Sequence, residues 1–159
     1  MRRCTAMCAL ALLALAGCQQ HAASSTGGEQ AVTPKTIAVT IASASSAHVF
    51  TVERAVTAAE QEKGLMFRTG LTDDGGMLFA PYPPGGGAPQ NANFWMKDTP
   101  SALDIIFIRA DHTIARIAEN AVPFDQTPLS SGEPVAAVLE IKGGRSADLG
   151  IAEGDKVSW

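Results

Sequence analysis

The apolar residues of this chain are grouped into short β-branched segments with turn-forming residues between them, and this grouping constrains the fold most. Segments 37–41 and 48–55 flank the sequence ASASSA and predict a β-hairpin. The same pattern predicts further strands at 76–80, 94–97, 102–108, 114–120, 136–142 and within 150–159. Short strands at this density predict a mainly β domain of the α+β class, folded as a small distorted antiparallel β-barrel.

One short helix is predicted between the hairpin and the next strand. Thr57 and Glu60 have the spacing of a capping box, in which each side chain accepts a hydrogen bond from the backbone N–H of the other residue. Gly64 has the position of a glycine that ends a helix. Residues 145–149 are expected to form no more than a helical turn, so the predicted domain has one helix.

Residues 1–17 have the features of a bacterial lipoprotein signal peptide. Arg2 and Arg3 precede an apolar stretch that is shorter than the roughly 20 residues of a membrane-spanning helix. The stretch ends in Leu-Ala-Gly-Cys, which resembles a lipobox and implies that Cys18 becomes the lipidated first residue of the mature protein. Gln19 follows it, so in a bacterium with two membranes we expect attachment to the outer membrane, facing the periplasm. The alternative is an ordinary cleaved signal with a chance cysteine.

Residues 18–34 are small and polar, and we expect them to be a flexible tether to a single globular domain at 35–159. Of the three cysteines in the chain, Cys4 and Cys8 leave with the signal and Cys18 is lipidated. The domain therefore has no cysteine for disulfides, thiol catalysis or zinc binding.

The charge of the mature chain limits its partners. Removal of Arg2 and Arg3 from the 12 basic residues leaves ten against 16 acidic ones, a net charge near −6. Such a charge argues against nucleic acid as a partner. The histidines are not at metal-ligand spacing, so no metal and no cofactor are expected. The expected partners are the membrane, through the lipid anchor, and a polar small molecule or an envelope protein.

Four segments together resemble the bacterial and archaeal family known as domain of unknown function 192. They are TAAEQEKGLMFR (57–68), GGMLF (75–79), FWMKDTPSALDIIFI (94–108), and the pair VLEIKGG and GIAEGD (138–144 and 150–155). The resemblance covers about residues 35–159 and implies a small, mostly β fold. It transfers no catalytic residue, because no activity is established for the family as a class.

The chain departs from the usual family pattern at two places. Asp98 stands where the family usually has asparagine, and the segment 81–92 is longer. This segment holds four prolines and three consecutive glycines. We interpret it as a tolerated insertion, because it offers little chemistry beyond Tyr82, Gln90 and Asn91. A functional lid is the alternative.

Two acidic residues are predicted inside buried strands, Asp104 in ALDIIFI and Glu140 in AAVLEIK. A carboxylate buried without a partner would become neutral or would destabilise the fold by several kcal/mol. The candidate cationic partners are Arg68, just after GLMF, and Lys97, in FWMK, and the short connection after Asp98 could fold Lys97 back beside Asp104. These four charged residues are the candidate polar pocket. It either binds a ligand, performs acid–base chemistry, or is a set of structural ion pairs.

Three methionines, Met66, Met77 and Met96, remain in the mature chain. Thioethers can bind Cu(I), and core packing is the alternative that we favour. The sequence as a whole favours a non-enzymatic envelope lipoprotein domain that binds a polar small molecule or a protein. Two alternatives stay open: a hydrolase or lyase that uses Asp104 or Glu140 with Lys97, and a Cu(I)-binding module.

Overall fold

The structure of the protein is a computed structural model that describes residues 36–159, so the predicted signal and tether lie outside the described residues. The elements of this part are β1 (Thr36–Ala42), β2 (Ala47–Ala55), α1 (Ala58–Lys63), β3 (Gly76–Phe79), β4 (Gln90–Phe94), β5 (Leu103–Ile108), β6 (Ile114–Ala121), β7 (Leu129–Val135), β8 (Ala137–Lys142), α2 (Arg145–Leu149) and β9 (Lys156–Ser158). No helix within 36–159 is long and apolar enough to cross a membrane.

Seven of these strands form one curled sheet in the order β6-β5-β8-β3-β2-β1-β9. Its outer strands approach each other at a single bridge between Thr113 and Lys156, so the sheet curls into a half-barrel. Strands β2 and β3 are parallel, because α1 and the following loop carry the chain back across the sheet between them. The other neighbouring strands in the sheet are antiparallel. The remaining strands, β4 and β7, pair with each other as a separate ribbon.

The prediction of a mainly β fold is confirmed, and so is the capping box at the start of α1. The Thr57 side chain accepts a hydrogen bond from Glu60 N, and Glu60 Oε2 accepts one from Thr57 N at 2.8 Å. The predicted turn at 145–149 is a second short helix, α2. The strand predicted at 94–97 is displaced, since β4 ends at Phe94. Strand β7 was not predicted, because the sequence LSSGEPV has the composition of a turn.

The two faces of the curled sheet belong to different apolar clusters. Residues that alternate along β5 and β8 divide between them: Ile106 and Leu139 pack in the first cluster, Ile105 and Val138 in the second. The first cluster also takes in side chains of β1, β2 and β9. The second includes Ala92 of β4 and other residues of the β4–β7 ribbon, together with Leu65 after α1. All six residues of β5 are buried, because both faces are covered.

Candidate functional site

Glu140 lies in the middle of the sheet, where few carboxyl groups are found. Strand β8 is flanked by β5 and β3, and its register places Glu140 between Ile105 and Met77 on the face of the second apolar cluster. The residue is 4% exposed, and Oε2 has no hydrogen-bond partner. Burial raises the pKa of the Glu140 carboxyl from 4.5 to about 8. At neutral pH the group is therefore mostly protonated and can donate a hydrogen bond.

Glu140 forms part of the lining of an open cleft of about 270 Å³. We call this space the Glu140 cleft. Three parts of the chain meet around it: α1 with the turn that follows, the segment after β3, and the end of β4 with the residues that follow. Its lining consists of Ala58, Gln61, Glu62, Lys63, Gly64, Leu65, Met66, Phe79, Tyr82, Pro84, Asn93, Phe94, Trp95, Thr99 and Glu140. The cleft is slightly smaller than the roughly 300–1,000 Å³ of typical drug-sized sites.

Gln61 supplies a second polar group with unused hydrogen-bonding capacity. Its Nε2 donates to the carbonyl oxygens of Ala55 and Pro81, at 3.1 and 2.8 Å, which fixes the orientation of the amide. Its Oε1 is buried without a partner. Two residues that line the cleft therefore each carry a buried oxygen without a partner, Gln61 Oε1 and Glu140 Oε2. Buried polar groups are nearly always paired in native proteins, so two of them lining one cleft mark it as a candidate ligand site.

Aromatic side chains form much of the remaining lining. Phe94 packs edge-on against Phe79, with ring centroids 5.0 Å apart, and the ring of Tyr82 lies 6.0 Å from that of Phe94. Burial raises the pKa of the Tyr82 phenol. Trp95 is 49% exposed, and Lys97 Nζ lies 5.8 Å from the centroid of its ring. The cleft thus combines flat apolar walls with a few polar groups, as small-molecule sites commonly do.

Backbone in an unfavourable conformation occurs in the segments joined to the cleft lining at Met66 and Thr99. Phe67, Asp98 and Phe124 have positive φ angles of 61°, 51° and 62°. Phe67 N donates to the carbonyl oxygen of Asp98, and Phe124 N donates to that of Thr99, so the three residues are close together. The left-handed region costs a residue with a Cβ roughly 1–2 kcal/mol. Strain of this kind persists where the surroundings enforce it, and it concentrates at functional sites.

The predicted polar pocket is not formed, because Asp104 and Glu140 point to opposite faces of the sheet. Asp104 is paired with Ile141 in the register, on the face of the first apolar cluster. Its Oδ1 accepts hydrogen bonds from Asn120 N and Gly144 N at 2.7 and 2.9 Å. Its Oδ2 accepts one from Ser146 N at 2.7 Å. Three backbone N–H groups therefore pair with the buried carboxyl group of Asp104, the role that was expected of a cation.

The two predicted cations are elsewhere. Arg68 forms a two-pronged ion pair with Glu53, at 2.7 and 2.9 Å, on the surface. Lys97 lies over Trp95, because the chain does not continue as a strand after Phe94 and so does not bring Lys97 beside Asp104. The expectation that Lys97 or Arg68 holds Asp104 is wrong. Of the four predicted pocket residues, Glu140 is the one that lines the cleft.

The methionines that were considered as Cu(I) ligands are not equivalent in the structure. Met77 and Met96 are buried in the second apolar cluster, whereas Met66 lines the Glu140 cleft. Sequence reasoning missed Gln61, which it treated only as part of a helix, and did not place Trp95 in the candidate polar pocket. It also treated Tyr82 as part of an insertion, yet Tyr82 and Pro84 line the cleft. Their aromatic and proline composition, next to a family segment, was the available signal.

Comparison with known proteins identifies relatives over nearly all of the described region. The model of the family DUF192, described as uncharacterized ACR, matches residues 39–159. A protein of unknown function from Novosphingobium aromaticivorans DSM 12444 has the same fold, with 48% identity, a TM-score of 0.74, and coverage of 81% of this chain and 94% of that one. A protein from Sinorhizobium meliloti 1021, provisionally named a transcription regulator, is 40% identical, with a TM-score of 0.73 and coverage of 80% and 95%. No curated protein matches the chain significantly.

Proposed function

Because this chain belongs to the DUF192 family, for which no activity is established as a class, we propose a function from the cleft itself: the domain binds a small, uncharged polar molecule at Glu140. The observation that carries the proposal is a carboxyl group that lines an open cleft and has an oxygen without a hydrogen-bond partner. A ligand that pairs with this oxygen would remove the cost of leaving a buried polar group unsatisfied, which is about 1–3 kcal/mol.

The chemistry of the lining favours an uncharged ligand. Protonated Glu140 can donate one hydrogen bond and accept others, and Gln61 Oε1 can accept one. A hydroxyl or amide group satisfies both residues. An anion would meet the negative end of the Gln61 amide, and a cation would require Glu140 to ionise in a site where burial opposes charge.

We further propose that the domain works outside the cytoplasm on a lipid anchor at Cys18. The support is the order of residues at the N-terminus: two arginines, an apolar stretch, and Leu-Ala-Gly-Cys at 15–18. A tether of residues 18–34 would let the domain reach ligands near the membrane. An envelope protein as partner is the alternative to a small molecule.

Ligand screening on single-residue variants of the full-length protein tests the cleft. A panel of monosaccharides, polyols, nucleosides and primary amides is titrated by calorimetry at pH 6.5. We expect at least one class to bind, Glu140→Leu to abolish that binding, and Glu140→Gln to retain much of it, because the amide still donates and accepts. Affinity should fall above about pH 8 in the wild type and not in Glu140→Gln, since only the acid loses its proton there.

Glu119→Gln is the matched control, because Glu119 is exposed on β6 and does not line the cleft. It should bind as the wild type does. If no class binds, or if Glu140→Leu binds as well as the wild type, the proposal is wrong.

Acid catalysis by Glu140 is a second candidate function, favoured by the same raised pKa. A carboxylic acid that keeps its proton near neutral pH can transfer it to a leaving group. Lys97 and Asp104, which the sequence suggested as helpers, are not in the cleft lining. Catalysis would be established by turnover of chromogenic esters or glycosides that disappears in Glu140→Gln and whose pH–rate profile falls above about pH 8. Binding without turnover would mean that the domain is a binding protein.

A further inference from the structure

Three exposed aromatic side chains belong to the Glu140 cleft or to segments joined to its lining. Phe67, Trp95 and Phe124 are 72%, 49% and 61% exposed. We call these three residues the aromatic rim. Large apolar side chains that are this exposed lose most of the benefit of burial, so their presence in one region needs a reason beyond folding.

One residue of the aromatic rim lines the cleft, and the other two are joined through the backbone to residues that line it. Trp95 lines the cleft directly, and Phe67 follows Met66, which also lines it. Phe124 N donates a hydrogen bond to the carbonyl oxygen of Thr99, another lining residue. A molecule that fills the cleft and is longer than one small ring would therefore extend past Trp95, next to the segments that carry Phe67 and Phe124.

Two rim residues are held in place at a cost. Phe67 and Phe124 have left-handed backbone, where asparagine or glycine is far less strained than phenylalanine. Neither aromatic ring is buried, so packing does not explain the choice of phenylalanine. The exposed rings themselves are the feature that phenylalanine adds at these positions.

We infer that the ligand of the Glu140 cleft is a neutral glycan chain, with one sugar ring in the cleft and further rings stacked on Phe67, Trp95 and Phe124. This inference rests on the proposed function and adds its ligand class. A sugar ring has hydroxyl groups at its edge, which suit Glu140 and Gln61. It also has a face of polarised C–H groups, which are attracted to the negative face of an aromatic ring.

A glycan fits the aromatic rim better than a peptide does. Peptides that bind in an extended conformation form backbone hydrogen bonds with a free strand edge. Here the backbone N–H groups of Phe67, Met96 and Phe124 already donate to Asp98, Asp125 and Thr99. A neutral glycan is favoured over an anionic one because the chain has a formal net charge of −4.

Fluorescence of Trp95 provides a direct measurement. The chain has two tryptophans, so full-length Trp159→Phe protein, purified in detergent, reports on Trp95 alone. The probes are β-1,4-linked N-acetylglucosamine hexamer, cellohexaose, maltohexaose, the corresponding monosaccharides, and an uncharged aromatic peptide of similar length. We expect at least one hexamer to shift the Trp95 emission and to bind about tenfold or more tightly than its monosaccharide.

Rim variants separate the aromatic rim from the cleft. Phe67→Asn and Phe124→Asn introduce a residue that tolerates positive φ, so stability should be unchanged or improved. Each should weaken binding of the hexamer by about 3- to 10-fold and leave monosaccharide binding within about twofold. Val49→Asn is the matched control, because Val49 is 56% exposed on β2 and does not line the cleft. It should change neither affinity.

Three results would overturn the inference. These are failure of all three hexamers to bind, binding of the peptide in preference to the glycans, and equal hexamer affinity in the wild type and both rim variants. If hexamers fail while another uncharged compound binds in a manner that depends on Glu140, the glycan inference is lost and the proposed function stands. If nothing binds at Glu140, both are lost.

Discussion

Replacement of Glu140 by glutamine should remove a large dependence of stability on pH. The unfolded carboxyl titrates near 4.5, whereas burial raises the pKa in the folded protein to about 8. Below pH 4.5 both states carry the proton. Between 4.5 and about 8 the folded state alone keeps it, so the stability contributed by this group falls as pH rises, and above about 8 the loss is complete. At about 1.4 kcal/mol per pH unit, the total loss is about 5 kcal/mol.

The assay is urea unfolding of full-length wild type and Glu140→Gln between pH 5 and 8.5, followed by circular dichroism. The carboxyls with lowered pKa values, such as those of Asp111 and Asp125, are common to both proteins and cancel in the difference. We expect the free energy of unfolding of the variant, relative to that of the wild type, to rise by about 1 kcal/mol per pH unit. The variant should be clearly more stable at pH 8. Glu119→Gln should run parallel to the wild type. Parallel profiles for Glu140→Gln would refute the argument that Glu140 is held protonated.

Three other changes follow from the contacts. Asp104→Asn should destabilise the domain by about 2–4 kcal/mol in urea unfolding, because an amide cannot accept from all three N–H donors. Lys97→Met should have little effect on stability. Energetic coupling between the two substitutions in the double mutant would contradict the observed geometry. Gly76→Ala should reduce thermal stability severely, because a Cβ there would overlap the carbonyl oxygen of Glu140; an unchanged melting temperature would mean that β3 and β8 can separate without cost. Cys18→Ala should release the protein from membranes or block its processing, and a cleaved variant that still sediments with membranes after a high-salt wash would rule out the lipid anchor.

Local sequence patterns were sufficient for the parts of the fold that local interactions determine. The β1–β2 hairpin, the capping box of Thr57 and the buried strands β5 and β8 were all predicted, since each has its own signal in alternation or capping chemistry. Strands β4 and β7 were misplaced or missed. They pair with each other across many residues, and β7 contains Gly132 and Pro134, which a ribbon can tolerate because β7 pairs with β4 alone in the sheet.

The candidate site could be predicted only in part, because it depends on register. Alternation correctly placed Asp104 and Glu140 in buried strands. Whether the two side chains share a face depends on how β5 pairs with β8, and Asp104 opposite Ile141 puts Glu140 opposite Ile105, on the other face. A shift of one residue would have reversed the answer. No pattern within either strand contains that information.

The two buried acidic residues differ in how fully hydrogen bonds compensate the burial of their carboxyl groups. Asp104 receives three backbone N–H donors, so its burial fixes the ends of three chain segments and leaves no carboxyl oxygen unpaired. Glu140, one strand away, has an unpaired oxygen and a pKa that makes it a liability at alkaline pH. The strained residues Phe67 and Phe124 lie next to residues that line the same cleft: Phe67 follows Met66, and Phe124 N donates to the carbonyl oxygen of Thr99. Glutamine or leucine at 140 and asparagine at the strained positions would relieve these costs without disturbing the sheet. A buried unpaired carboxyl and strained backbone next to one cleft both lower stability, and such losses are expected where a protein gives up stability for function. The Glu140 side of the sheet is therefore the side on which binding should be sought.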